Sequence, residues 1–152
     1  MSKPVLKGLG TYGCVFAPPI VCHGENAFDF LHKRRKHVSK VFFEDKAFER
    51  EMRVYDDVIT KIDPRHNFTL PIVRTCQVSQ VSDCPKLWLK QRKNLPWQWI
   101  GRDGGDNLHI VSASSKQPSF LSLLEHIELL FYGLKKLSDH SITHLDIKPA
   151  NI

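Results

Sequence analysis

The spacing of apolar residues shifts along the chain between a period near two and a period near 3.6, and the shifts mark the elements. Residues 5–16 are β-prone on both sides of a glycine-rich centre, Gly8-Leu9-Gly10-Thr11-Tyr12-Gly13, and read as two short strands around a turn. Pro18 and Pro19 forbid a helix directly after them, and residues 18–32 look like an irregular insertion. Residues 37–43 alternate as a strand that puts Val38, Lys40 and Phe42 on one face, expected to point inward. The period then turns helical. Phe48, Met52, Tyr55, Ile59 and Ile62 form one apolar stripe in a helix over 44–62, which Asp63-Pro64 ends. Two further strands are expected, one within 67–81 and one within 86–100, the second holding Trp88, Trp97 and Trp99. Residues 101–106 are a turn-rich connector. After a loop over 112–118, Ser119 or Ser122 starts a second helix that runs to about residue 138; Ser122 and Glu125 have the spacing of a capping box. Leu123, Ile127, Leu130, Leu134 and Leu137 form its stripe, broadened by Phe120, Leu124 and Phe131, and a face so broad is expected to be largely buried. The pattern is α+β in class, strands and one helix first and then a second helix.

Composition narrows the function. The chain has 152 residues, 41% of them hydrophobic, enough for a real core. The formal net charge of +6 suits a phosphate-bearing ligand or an acidic partner but is far from that of a histone. Lys33-Arg34-Arg35-Lys36 is a basic run, read as a solvated loop between strands; a nucleic-acid module built on it would lack interleaved aromatics, so nucleic acid is not the expected partner. No run of eighteen apolar residues occurs, and no secretory h-region opens the chain, so the expectation is no membrane span and a cytoplasmic protein. Cys14, Cys22, Cys76 and Cys84 contain no C-x-x-C pair and are expected as free thiols; a zinc site from Cys22, His23, Cys76 and Cys84 is a minor alternative.

Chemistry gathers at four places. Glycines at 8, 10 and 13 allow unusual φ and let backbone N–H groups approach phosphate oxygens. The same G-x-G-x-x-G also fits a dinucleotide fold, which would need a helix at the third glycine, whereas Cys14-Val15-Phe16-Ala17 is β-prone. Lys40 stands between two apolar residues and needs a partner, because an isolated buried ammonium is costly. Glu51, at the margin of the helix stripe, is the candidate; Glu49 is its rival. The last residues, His144-Leu145-Asp146-Ile147-Lys148-Pro149-Ala150-Asn151-Ile152, present Asp, Lys and Asn in the order of a phosphoryl-transfer loop, and Pro149 keeps Lys148 out of the α region.

Taken together, glycine loop, strand Lys, helix Glu and H-x-D-x-K-P-x-N resemble the first half of a eukaryotic-type serine/threonine protein kinase. More narrowly, the stretch Tyr12 to Ile20, with Cys22 after it and Val38-Ser39-Lys40 beyond, is similar to the kinase-like proteins of large double-stranded DNA viruses. The resemblance implies a kinase N-lobe over 1–100, an antiparallel sheet with one helix, then the hinge, the long helix and the catalytic loop of an incomplete C-lobe over 101–152. It implies ATP and Mg2+ as cofactors. Gly8, Gly10 and Gly13 would cover the phosphates, with Val15 and Val38 beside the nucleotide; Lys40 would hold the α- and β-phosphates and pair with Glu51. Asp146 would be the catalytic base, Lys148 would meet the γ-phosphate, and Asn151 would bind the metal.

The sequence departs from the pattern in two ways. Leu145 replaces the usual Arg that receives a phosphorylated activation loop, and Val38 replaces a smaller residue near the adenine. D-F-G does not occur after Asn151, so these 152 residues are expected to turn over slowly or not at all. A nucleotide-binding pseudokinase that docks on a partner protein is the competing expectation. The protein substrate is unspecified, and a viral protein would sit in the host cell or the virion.

Overall fold

The computed structural model describes residues 3–26, 36–78, 83–85, 95–105, 111–112 and 118–143. They divide into two compact units, Met1–Tyr55 with Pro71–Asp103 and Asp56–Leu70 with Gly104–Ile152. Trp88, the run Lys33-Arg34-Arg35, most of the 112–118 loop, and Asp146, Lys148 and Asn151 lie outside the described residues.

The first unit is a five-stranded antiparallel sheet with a helix. Strands β1 (Val5–Leu9), β2 (Gly13–Ala17), β3 (His37–Phe42), β4 (Ile72–Gln77) and β5 (Trp97–Arg102) lie in the order β1-β2-β3-β5-β4. Helix α1 spans Asp45–Val54. The fold is therefore α+β, as the sequence pattern indicates. β5 runs past the expected limit of residue 100 to Arg102, because Gly101 and Arg102 still pair with Val38 and His37. The β1–β2 turn closes through the Gly10 N–H, which donates to the Gly13 carbonyl at 2.9 Å. A strand, not a helix, follows the third glycine, which removes the dinucleotide alternative.

Residues directly paired across antiparallel strands share a face. One face carries Cys14, Phe16, Ser39, Val41, Gln98 and Ile100, all buried to 1% exposure or less. The other carries Val15, Val38, Lys40, Phe42 and Trp99. Alternation in β3 therefore holds, but the most deeply buried side is that of Ser39 and Val41, while Val38 and Lys40 are only half-buried. The reason is tertiary. Pro19, Ile20 and Cys22 from the segment after β2, with Val78 and Cys84, cover the Ser39 side. Its polar groups are satisfied there: the Ser39 hydroxyl accepts from Ile20 N–H at 3.1 Å, and the Gln98 amide donates to the Ile20 carbonyl at 2.8 Å.

Disulfides fasten that cover. Cys14 is bonded to Cys84 and Cys22 to Cys76, which corrects the expectation of free thiols. It also removes the zinc alternative in this oxidised form, since Cys22, Cys76 and Cys84 are all in sulfur–sulfur bonds and no zinc-ligating thiolate remains among them. Neither pairing follows from sequence spacing. Cys76 is set opposite Gln98 by the β4–β5 register, and the Gln98 amide lies 3.2 Å from the Cys76 sulfur.

Beyond α1, the expected helix to Ile62 is present but interrupted. A π-helical stretch, Tyr55–Ile59, is followed by a last α turn, Thr60–Ile62. The predicted stripe of Phe48, Met52, Tyr55, Ile59 and Ile62 is half-buried throughout.

In the second unit, Asp63 organises the turn after that helix. It is 1% exposed, and its carboxylate accepts from the N–H groups of Asn67, Phe68 and Thr69 and from the Thr69 hydroxyl, at 2.7–2.9 Å. Burial pushes its carboxyl up, but the hydrogen bonds from Phe68, Asn67 and Thr69 outweigh that and hold it below the usual carboxylate range.

Helix α2 spans Phe120–Asp139, with Ser119 and not Ser122 as N-cap; the Ser119 hydroxyl accepts from Ser122 N–H at 3.2 Å. It ends in a Schellman turn with Ser141 at positive φ, in which Ile142 N–H donates to Leu137 and Ser141 N–H to Ser138. The expectation that α2 is largely buried is overturned. Its one buried residue is Gly133, against which the Phe68 ring packs, while Phe120 is 73% and Phe131 65% exposed. The Phe68 ring also meets the Tyr132 ring edge-on, with ring centres 5.9 Å apart.

Candidate nucleotide site

The Lys40 face of the sheet gathers every described residue of the predicted site. Val15 lies opposite Lys40 across β2–β3, Trp99 lies opposite Lys40 across β3–β5, and Val38 lies opposite Gly101. Gly8 pairs with Val15 beside a β-bulge in β1. The glycine hairpin therefore stands at the edge of the face that presents the ammonium.

The glycines act through space rather than through φ. None of Gly8, Gly10 and Gly13 adopts a left-handed conformation. A Cβ on Gly13 would come within 2.3 Å of the Val41 carbonyl oxygen, so close strand approach requires glycine there. Gly8 and Gly10 have room, with the nearest atoms 4.0 and 3.7 Å from a built Cβ. The tip of the turn is held from below: Phe43 N–H donates to the Tyr12 carbonyl at 2.9 Å, and the Arg50 guanidinium lies 5.0 Å from the Tyr12 ring centre.

Helix α1 docks on the same face through aromatic contacts. Phe48 stacks on Trp97 with ring centres 5.1 Å apart and meets Phe42 edge-on at 5.4 Å. This seating brings Glu51 over the strands. One Glu51 carboxylate oxygen forms a hydrogen-bonded ion pair with the Lys40 ammonium; the other accepts from the Trp99 indole N–H at 2.8 Å. Glu51 and not Glu49 is the partner of Lys40, and Glu49 is exposed. The pair is partly open, with side chains 21% and 34% exposed, so it contributes about 1 kcal/mol or less to stability. What it does is hold a cation at a fixed point, partly exposed, on the sheet face beside the hairpin. The Lys40 ammonium also lies 4.8 Å from the Phe42 ring centre.

No family model and no curated protein matches this chain. The functional reading therefore rests on the site geometry together with the sequence motifs. The geometry brings together Gly8, Gly13, Val15, Val38, Lys40 and Glu51 on one side of one sheet, with Gly10 in the turn that joins β1 to β2. Asp146, Lys148 and Asn151 are outside the described residues, and among those described no cluster of His, Cys, Asp or Glu could hold a metal ion. No helix among them is long and apolar enough to cross a membrane.

Sequence reasoning missed Trp99, which it placed only on an expected strand. The usable signal was weak: two tryptophans at alternate positions of one strand, Trp97 and Trp99, mark one face that a helix covers.

Proposed function

We propose that this chain is the nucleotide-binding half of a serine/threonine protein kinase, an N-lobe over about 1–100 joined to the opening of a C-lobe. The observation that carries the reading is the Lys40–Glu51 pair on the sheet face beside the glycine hairpin. A cation so held, next to backbone that only glycine permits at position 13, suits the phosphates of ATP. On this reading Gly8, Gly10 and Gly13 lie over the phosphates, Val15 and Val38 wall the base, and Lys40 binds the α- and β-phosphates. By the same resemblance Asp146 accepts the substrate hydroxyl proton, Lys148 steadies the γ-phosphate, and Asn151 holds Mg2+. ATP supplies the transferable phosphoryl group.

The test is titration with Mg-ATP, followed by thermal shift and by a fluorescent ATP analogue. The wild-type chain is expected to bind, and Lys40→Met is expected to weaken binding at least tenfold with little change in melting temperature. Binding that is indifferent to Lys40→Met refutes the reading. A radiolabelled-phosphate transfer assay on these 152 residues is expected to show little or no turnover; robust turnover that Asp146→Ala abolishes would overturn that expectation and exclude the pseudokinase alternative.

The disulfides bear on location. Sulfur–sulfur bonds persist in oxidising surroundings and on particle surfaces, so they favour the virion over the reducing cytosol within the viral reading.

A further inference from the structure

We propose that Trp99 is a positioning residue for the nucleotide site, fixing Glu51 and through it the Lys40 ammonium. The inference rests on the nucleotide-binding reading above and names the group that sets the geometry of that site. A carboxylate held by one lysine alone keeps its freedom: the lysine stem is long, and the carboxylate can turn about its last bond while keeping the contact. Here each oxygen has its own donor, Lys40 on one and the Trp99 indole on the other. An indole N–H can only donate, and its ring has two torsions, so it makes a stiff anchor.

The ring is itself placed by the sheet. Trp99 is the direct cross-strand neighbour of Lys40, which ties anchor and ammonium to adjacent backbone. Gly101, two residues on and on the same face, leaves the ring its space: a Cβ there would lie 3.3 Å from the indole and 3.1 Å from the Pro71 carbonyl oxygen. Helix α1 is thus attached at two points on alternate residues of β5, Phe48 on Trp97 and Glu51 on Trp99. The first contact is apolar and seats the helix. The second is polar and sets the carboxylate.

The test is a double-mutant cycle on affinity for a fluorescent ATP analogue in the presence of Mg2+, with melting temperature recorded for each variant. Trp99→Phe keeps an aromatic ring and deletes the donor, and it is expected to weaken binding about fivefold to tenfold, less than the full worth of a hydrogen bond to a charged group because Lys40 still holds the other Glu51 oxygen. In a Glu51→Ala background the same change is expected to alter affinity less than twofold, because nothing remains to position. Equal losses in the two backgrounds overturn the proposal and assign Trp99 a packing role alone. A wild-type chain that fails to bind the analogue overturns the nucleotide reading and this proposal together. If Trp99→Phe does not fold, 15N-labelled tryptophan in the wild-type chain gives the answer. The Trp99 indole proton should exchange more slowly once the analogue is bound, and an unchanged rate overturns the proposal.

Discussion

Opening the two disulfides should cost several kcal/mol, and less than two separate bonds would, because one loop encloses the other. The Cys14–Cys84 bond closes 70 residues and encloses the Cys22–Cys76 bond, which closes 54. Chain-entropy scaling makes either bond, taken alone, worth about 4 kcal/mol. They are not independent. With Cys22–Cys76 in place, the outer bond closes only the remaining sixteen residues (70 less 54), eight on each side. Its worth then falls to about 3 kcal/mol on the same scaling, for a total of about 7 rather than the roughly 8 to 9 of two independent bonds.

The assay is guanidinium unfolding of the oxidised wild type, of Cys14→Ala/Cys84→Ala, of Cys22→Ala/Cys76→Ala and of the quadruple variant, followed by circular dichroism. Removing the outer pair should cost about 1 kcal/mol less when the inner pair is present than when it is absent. Cavities left by the buried sulfurs add to both arms and cancel in the difference. Strict additivity would refute the nested-loop argument. Alkylation of four thiols in the non-reduced, denatured wild type would refute the pairing itself.

Two further outcomes follow from local geometry. Gly13→Ala should destabilise the sheet by about 2 kcal/mol or more, because the new methyl meets the Val41 carbonyl, whereas Gly8→Ala and Gly10→Ala should lie within about 0.5 kcal/mol of wild type in thermal unfolding. Comparable losses at all three positions would contradict this. Asp63→Ala should cost about 2–4 kcal/mol through four lost acceptor contacts. The Asp63 carboxyl is lowered on folding, so its contribution is complete above the ordinary carboxylate value of about 4 and is lost as pH falls toward the folded value. Asp63→Asn should remove that acid-dependent part, and an unchanged acid limb in the pH–stability curve of Asp63→Asn would show the assignment to be wrong.

Periodicity and residue type were enough for the α+β class, the glycine hairpin, β3 and the helical run from α1 on to Ile62, though not for its π-helical interruption, because neighbours within a few residues settle those choices. The Lys40–Glu51 pairing was also legible, since an ammonium flanked by Val38 and Phe42 demands a carboxylate and the stripe of α1 offers one at its margin. Other features depend on registers that no local pattern encodes. The β3–β5 register puts Trp99 opposite Lys40 and so gives Glu51 its second donor. The segment after β2 folds over Ser39 and Val41, which makes that side of β3 the buried one and carries Cys22 to Cys76, while Cys84 reaches Cys14 from the chain beyond β4. The breadth of the α2 stripe announced burial, yet Phe120 and Phe131 face solvent, because apolar spacing records what a helix could cover and only the surrounding chain determines what covers it.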